Sequence, residues 1–228
     1  MAPDSLARLT AEVVACRRCP RLVEWREASA SDPPARFVGE RYWARPLPGF
    51  GDSNARILVV GLAPAAHGGN RTGRLFTGDR SGDFLFASLH RTEFANQRRS
   101  IAVDDGLSLS GLYIAAVVRC APPANKPHPD ERDRCLPFLA RELAILADVR
   151  VIVALGSYAW DGALRAIREL GIRVERKPRF GHMAETRVEP YSLLGSYHPS
   201  QQNTFTGRLT PQMLDAVLSR ARLLADRV

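Results

Sequence analysis

The sequence predicts an α/β protein, a three-layer α/β/α sandwich around a central four-stranded parallel sheet. Three observations carry the prediction. Four short apolar runs recur along the chain, at Ile57–Gly61, Tyr113–Val118, Val151–Leu155 and Ser192–Tyr197. They are near-continuous rather than alternating, as strands covered on both faces are. Helical periodicity lies between or after them, at Phe84–Phe94, Asp130–Leu146, Tyr158–Leu170 and Pro211–Ala225, and strands that alternate with helices build parallel βαβ units. With 228 residues the chain has the length of one domain, expected to span residues 1–228.

Ser5 to Ala15 reads as an opening helix, with Leu6, Leu9, Val13 and Val14 on one face and Ser5 or Asp4 as its cap. From Ala28 to Asn54 the chain is rich in Pro, Gly and aromatics (Phe37, Tyr42, Trp43, Phe50) and reads as a long ordered excursion. The first strand then enters a glycine-rich turn, in the stretch ILVVGLAPAAHGGNRTGRLFTGDRSGDFLF (57–86). Unpaired N–H groups converge where such a turn starts a helix, which makes it a ligand site. The turn lacks the GK[ST] ending of a phosphate loop, and Gly61, Gly68, Gly69 and Gly73 do not fit the dinucleotide fingerprint. The second and fourth strands run into RCAPPANKPHPD and HPSQQNTFTGR. Ligands of parallel sheets bind beyond the carboxyl ends of the strands, so these three loops are predicted to share the site. His198 follows the last strand, held by Pro199 at the rim.

A composition of 45% apolar and 25% charged residues excludes disordered and collagen-like classes. The balance of 32 basic against 24 acidic residues, a net +8, favours a polyanionic partner such as nucleic acid. Lys126 and Lys177 are the only lysines, so Schiff-base chemistry has two residues to draw on. The N-terminal segment carries charge throughout and no run approaches the ~18 apolar residues of a membrane span. A soluble, cytoplasmic protein is expected, in a compartment that keeps thiols reduced. Cys16 and Cys19 form C-x2-C, and Cys120 and Cys135 form C-x14-C. Four thiolates suit a [4Fe–4S] cluster or tetrahedral zinc. The wide second spacing favours the cluster, with zinc and unliganded core cysteines as the other readings. Because no second redox motif is visible, a structural or DNA-positioning role is expected of such a cluster.

GLAPA after the first strand, RTGRLFTGDRSGDFL before the next helix, VVRCAPPANKP after the second strand and YHPSQQNTFTGRLT after the fourth together resemble the uracil-DNA glycosylase superfamily. Within it they resemble family 5, the B-type iron–sulfur glycosylases of thermophilic and actinobacterial microbes. The likeness runs from the first cysteine pair to the last helix. It implies a [4Fe–4S] cluster on Cys16, Cys19, Cys120 and Cys135, and hydrolysis of the N-glycosidic bond of uracil and other deaminated bases in DNA, leaving an abasic site. The glycine-rich turn would then hold a flipped base and its sugar, with Gly61 allowing close backbone approach.

Two departures from related branches refine the expectation. Those branches place Asp, Asn or Glu in the G-x-x-P motif to position water, whereas this chain has Leu62 and Ala63. Asp79, at the start of the following helix, is the nearest carboxylate to do so, although helix capping is its plain structural reading. His67 and Asn70 are weaker alternatives. Related enzymes also carry an Asn in the second strand to read uracil, where this chain has Ala116. An apolar wall rejects analogues weakly, so broad specificity is expected, with Asn125 as the remaining amide near base or water. By resemblance, Phe76 would stack on the base and His198 would donate to its O2. Gln201, Gln202 and Phe205 would enter the DNA stack, and Arg71, Arg74 and Arg208 would contact phosphate. The enzyme is expected to be a monofunctional, monomeric glycosylase that binds damaged and abasic-site DNA. The alternatives are a non-catalytic iron–sulfur nucleic-acid-binding module and, less consistent with the missing phosphate-loop lysine, a nucleotide-dependent enzyme.

Overall fold

The computed structural model describes residues 4–226. The opening helix α1 (Leu6–Val14) starts at Ser5, whose side chain accepts from the Arg8 N–H as an N-cap does. A second helix, α2 (Pro20–Ser31), follows with Pro at its first position, where no N–H is needed. Next come β1 (Phe50–Gly51), β2 (Ile57–Gly61), α3 (Gly69–Thr72) and α4 (Arg80–Arg91). The chain continues through β3 (Leu112–Ala116), α5 (Pro129–Ile145), β4 (Val151–Leu155) and α6 (Ser157–Glu169). It ends with β5 (Glu185–Val188), β6 (Tyr191–Ser196), α7 (Gln201–Phe205) and α8 (Pro211–Asp226).

The sheet has six strands in the order β1-β3-β2-β4-β6-β5, which corrects the expected four. The four apolar runs form the parallel centre, β3-β2-β4-β6, and the short strands β1 and β5 add antiparallel edges. Neither edge strand has the apolar run that marks a strand buried on both faces. In β5 only Val188 is buried.

Alternate residues of the central strands feed two separate cores, as the two-residue period of a strand requires. Leu58, Val60, Ile152 and Ala154 pack with α5 and α6 on one face, beside the fully buried Trp160. Ile57, Val59, Val151 and Val153 pack with α4 and α8 on the other. A third, small cluster joins Leu9 and Val13 of α1 to Phe138 of α5, with Cys16 and Cys135 at its edge. Among the described residues no helix is long and apolar enough to cross a membrane.

Arg74, expected at a DNA phosphate, is instead part of the framework. Its side chain is buried, pairs with Asp105 at 2.7 Å and also donates to Ser100, Thr77 and the Val103 carbonyl. This knot ties the loop before β3 to the glycine-rich loop. Burial alone would raise the pKa of Asp105, but the Arg74 hydrogen bond and three backbone N–H groups outweigh it and hold it at about 2. Because the folded-state value lies below the unfolded one, the associated stability is complete above about pH 4 and is lost as pH falls toward 2. Arg74→Ala should cost about 3–5 kcal/mol in urea unfolding, since it strands a buried carboxylate. Asp105→Asn should flatten the loss of stability between pH 4 and 2.

Candidate active site

The site forms where β2, β3 and β6 end. Gly61 closes β2 opposite Ala116 of β3, and an ideal Cβ on Gly61 would lie 2.7 Å from the Phe76 ring. Glycine therefore leaves the space that the ring occupies. Phe76 holds a left-handed φ of +53°, a costly conformation for a side chain of that size and one that gathers at functional sites. Across it stands His198, its ring centroid 6.1 Å from that of Phe76 and tilted 32° to it. Ala116 is buried beside this pair, and Ala63 packs partly covered against the other core.

His198 keeps part of its surface open, and among the described residues its ring nitrogens have no hydrogen-bond partner. Its backbone carbonyl accepts from Asn203, which fixes the loop after β6. The protein packed around the ring pushes its pKa down to about 4, so the imidazole is neutral at physiological pH. A neutral imidazole offers one N–H donor and one acceptor nitrogen.

Asp79 takes the capping role that the sequence offered, and it also faces a cavity. It is the N-cap of α4, with one carboxylate oxygen accepting from the Gly82 N–H at 2.9 Å. The same residue lines a cavity of about 580 Å³ together with His67, Gly68, Asn125 and Gln201. Gly68 is needed at this point because a Cβ there would collide with the second Asp79 oxygen. Burial raises the Asp79 pKa, opposed by the backbone N–H groups of Gly82 and Ser81. Asn125 is exposed at φ +56° in the 3₁₀ turn Pro123–Asn125, a backbone region Asn tolerates better than most residues.

The cavity that holds Asp79 and Asn125 does not include His198 or Phe76 among its lining residues, so the structure brings the expected residues into two adjoining groups. Gln201 reaches the cavity from the start of α7, while Gln202 and Phe205 are exposed on that helix. Phe205 lies under the guanidinium of Arg80, itself a cavity residue, at 5.6 Å. Arg208 is exposed and stacks over Tyr197 at 4.6 Å. Arg71 is not free for a phosphate: it donates to the carbonyls of His67 and Gly78, pairs with Glu40 at 2.5 Å and covers the Phe37 ring. Asn70 does not face the cavity either, being fully buried with its amide on the Arg26 and Ala66 carbonyls.

Several residues entered the site unannounced. Trp25 of α2, together with Arg36 and Phe37 of the excursion, line the cavity. Tyr42 hydrogen-bonds His67 Nδ1 at 2.9 Å. For Phe37 and Tyr42 the aromatic density of residues 37–50 was the trace in the sequence, whereas Trp25 and Arg36 lie outside it.

The four cysteines are unbridged and line one compact cavity, walled also by Leu22, Val118 and Phe138. Among the described residues no three His, Cys, Asp or Glu side chains converge closely enough to hold one metal ion. The thiols surround a space rather than a point. Donors aim at two of the sulfurs: Arg26 Nη1 at 3.1 Å from Cys120 Sγ, and the Arg119 N–H at 3.2 Å from Cys135 Sγ. Burial pushes the free thiols up, to about 11 for Cys120 and about 12 for Cys135, against the pull of Arg26 and Arg119 respectively. Such thiols carry charge only with a cation among them. The donor set fits a polynuclear, anionic centre.

The model of the uracil DNA glycosylase superfamily matches residues 48–222. The chain is 52% identical to the type-5 uracil-DNA glycosylase of Mycobacterium tuberculosis over 223 residues, 97% of this chain and 82% of that protein. It is 51% identical to the type-5 uracil-DNA glycosylase of Thermus thermophilus over 214 residues, 93% of this chain and 95% of that one. Against a type-4 uracil-DNA glycosylase of Pyrobaculum aerophilum it is 32% identical over 168 residues, 70% and 74% of the two chains. This chain therefore belongs to the uracil-DNA glycosylase superfamily, and within it to the type-5 group.

Proposed function

We propose that the protein excises uracil, and other deaminated bases, from DNA as a monofunctional glycosylase, acting as a single-domain monomer in the cytoplasm. The observation that carries the reading is the pair of Phe76, its ring against the bare backbone of Gly61, and a neutral His198 across from it at 6.1 Å between ring centroids. A planar base stacks on the ring of Phe76, with its edge toward His198.

Cleavage breaks the bond between the sugar C1′ and the base nitrogen, and the electron pair leaves with the base. Negative charge then develops on the carbonyl O2 of uracil. The His198 N–H donates a hydrogen bond to that oxygen, stabilising charge that is absent in the ground state. The sugar becomes cationic at C1′. Water adds there and passes its proton to Asp79, whose free oxygen is held at the cavity by its own cap to α4. The departing base anion takes a proton from solvent. Asn125 and Gln201 line the cavity beside the water and the sugar. Ala116, where related enzymes have an amide, offers no donor to distinguish one deaminated base from another. Cys16, Cys19, Cys120 and Cys135 would hold a [4Fe–4S] cluster, which when bound would cross-link the turn between α1 and α2 to the loop after β3 and to α5.

Alkaline cleavage of duplex oligonucleotides bearing U, hypoxanthine or xanthine tests the activity. Salt-dependent binding without base release would favour a non-catalytic nucleic-acid-binding module instead. Borohydride should trap no covalent adduct, because neither Lys126 nor Lys177 lies in the cavity. His198→Ala should slow single-turnover cleavage by roughly two to three orders of magnitude, the loss of one oxyanion donor. Asp79→Asn should cost less, since backbone groups and Asn125 share its role. Between pH 6 and 8 the wild-type rate should be flat, because His198 stays neutral above about 4. An inflection near 6.5 that vanishes in His198→Ala would refute that protonation state. The purified protein should be brown, with about four irons per chain.

A further inference from the structure

Arg26 of α2 is buried, 1% exposed, and among the described residues its Nε has no hydrogen-bond partner. Its Nη1 reaches two acceptors, Cys120 Sγ at 3.1 Å and the Cys16 carbonyl at 3.4 Å. Its one ion-pair contact among the described residues is Glu27 at 3.9 Å. That carboxylate is partly open to solvent and is already held by Arg17 through two hydrogen bonds, at 2.5 and 3.2 Å. The other buried arginines of the fold are paired directly, Arg119 with Glu142 and Arg74 with Asp105. Burying a cation costs far more than a hydrogen bond to a neutral thiol returns. As free thiols the cysteines give Arg26 no counter-charge.

We infer that Arg26 is the buried counter-ion of the iron–sulfur cluster and sets its reduction potential. The inference rests on the cluster reading above. Four thiolates around four irons and four sulfides carry net negative charge, and Arg26 stands in direct contact with one of those sulfurs. Reduction adds one electron and makes the centre more negative, so a fixed cation at this distance favours the reduced state. Three other cations face the cysteine cavity. Arg18 and Arg134 are exposed on its rim, and Arg119 is neutralised by Glu142. Arg26 is thus the one whose charge is neither screened by water nor cancelled by a close carboxylate. Arg26 also holds the glycine-rich loop, because its backbone carbonyl accepts from the buried Asn70 amide at 3.1 Å.

The test is a dithionite titration of the intact protein followed by electron paramagnetic resonance, with iron content measured in parallel. Arg26→Gln keeps a donor without the charge, Arg26→Met removes both, and Arg26→Lys keeps the charge. In the Gln and Met variants the ratio of reduced to oxidised cluster at the wild-type midpoint should fall at least ten-fold, a shift of about 59 mV for one electron. Arg26→Lys should stay near wild type. Loss of iron from the two neutral variants with retention in Arg26→Lys supports the same assignment. Neutral variants that match wild type in iron and midpoint would overturn it, as would an Arg26→Lys protein that behaves like them. Wild-type protein without iron would instead remove the cluster reading on which the inference stands.

Discussion

The geometry of the ligand end depends on space left empty at the last residue of β2. Gly61 has no side chain, and the ring of Phe76 fills that place. The ring is brought there by a left-handed turn at Phe76 itself, whose backbone cost must be met by the surroundings. The Arg74–Asp105 knot lies two residues before Phe76, and Thr77, one residue after it, joins the same hydrogen-bond network. Asp79 then caps α4 and fixes the far end of the loop. A strained residue is thus pinned from both sides by buried polar contacts, the arrangement in which a functional conformation persists without ligand.

Helix α2 links this end to the cysteine cavity. Consecutive residues point different ways: Trp25 lines the cavity of Asp79, while Arg26 turns inward to Cys120. Asn70 completes the bridge from the loop side. A cross-link at the cysteines would therefore fix one wall of the Asp79 cavity through α2.

The central strands were legible because burial on both faces leaves a mark that few other constraints produce. The edge strands β1 and β5 were not, since pairing on one side needs no apolar run. Helix α2 escaped for a related reason: Arg26 sits where a buried apolar residue would complete the pattern, with its guanidinium on the Cys120 sulfur. Arg71 and Arg74 failed as phosphate contacts because the sequence displays a charge without its partner. Glu40 and Asp105 lie 31 residues away from them in each case. Asp79 could be read as cap or as catalytic group, because the sequence marks a helix start and a site-loop carboxylate alike; the fold shows the cap at one oxygen, beside a cavity.

The net charge can be divided in the same way. Arg26, Arg71, Arg74 and Arg119 are spent inside the fold and contribute little field at the surface. Around the ligand end a different set is exposed: Arg36 over Phe37, Arg45 near Trp43, Arg80 over Phe205 and Arg208 over Tyr197. None of the four has an ion-pair partner among the described residues, and each lies 4.6–6.0 Å from a ring centroid. An aromatic face orients a guanidinium without neutralising it, whereas a carboxylate does both. The planar fork is held while its charge and its N–H groups remain free for phosphate oxygens. Arg36 and Arg80 line the cavity that also holds the carboxylates of Asp79 and Asp83, so two of the four ring-held guanidiniums stand at the cavity wall rather than elsewhere on the surface.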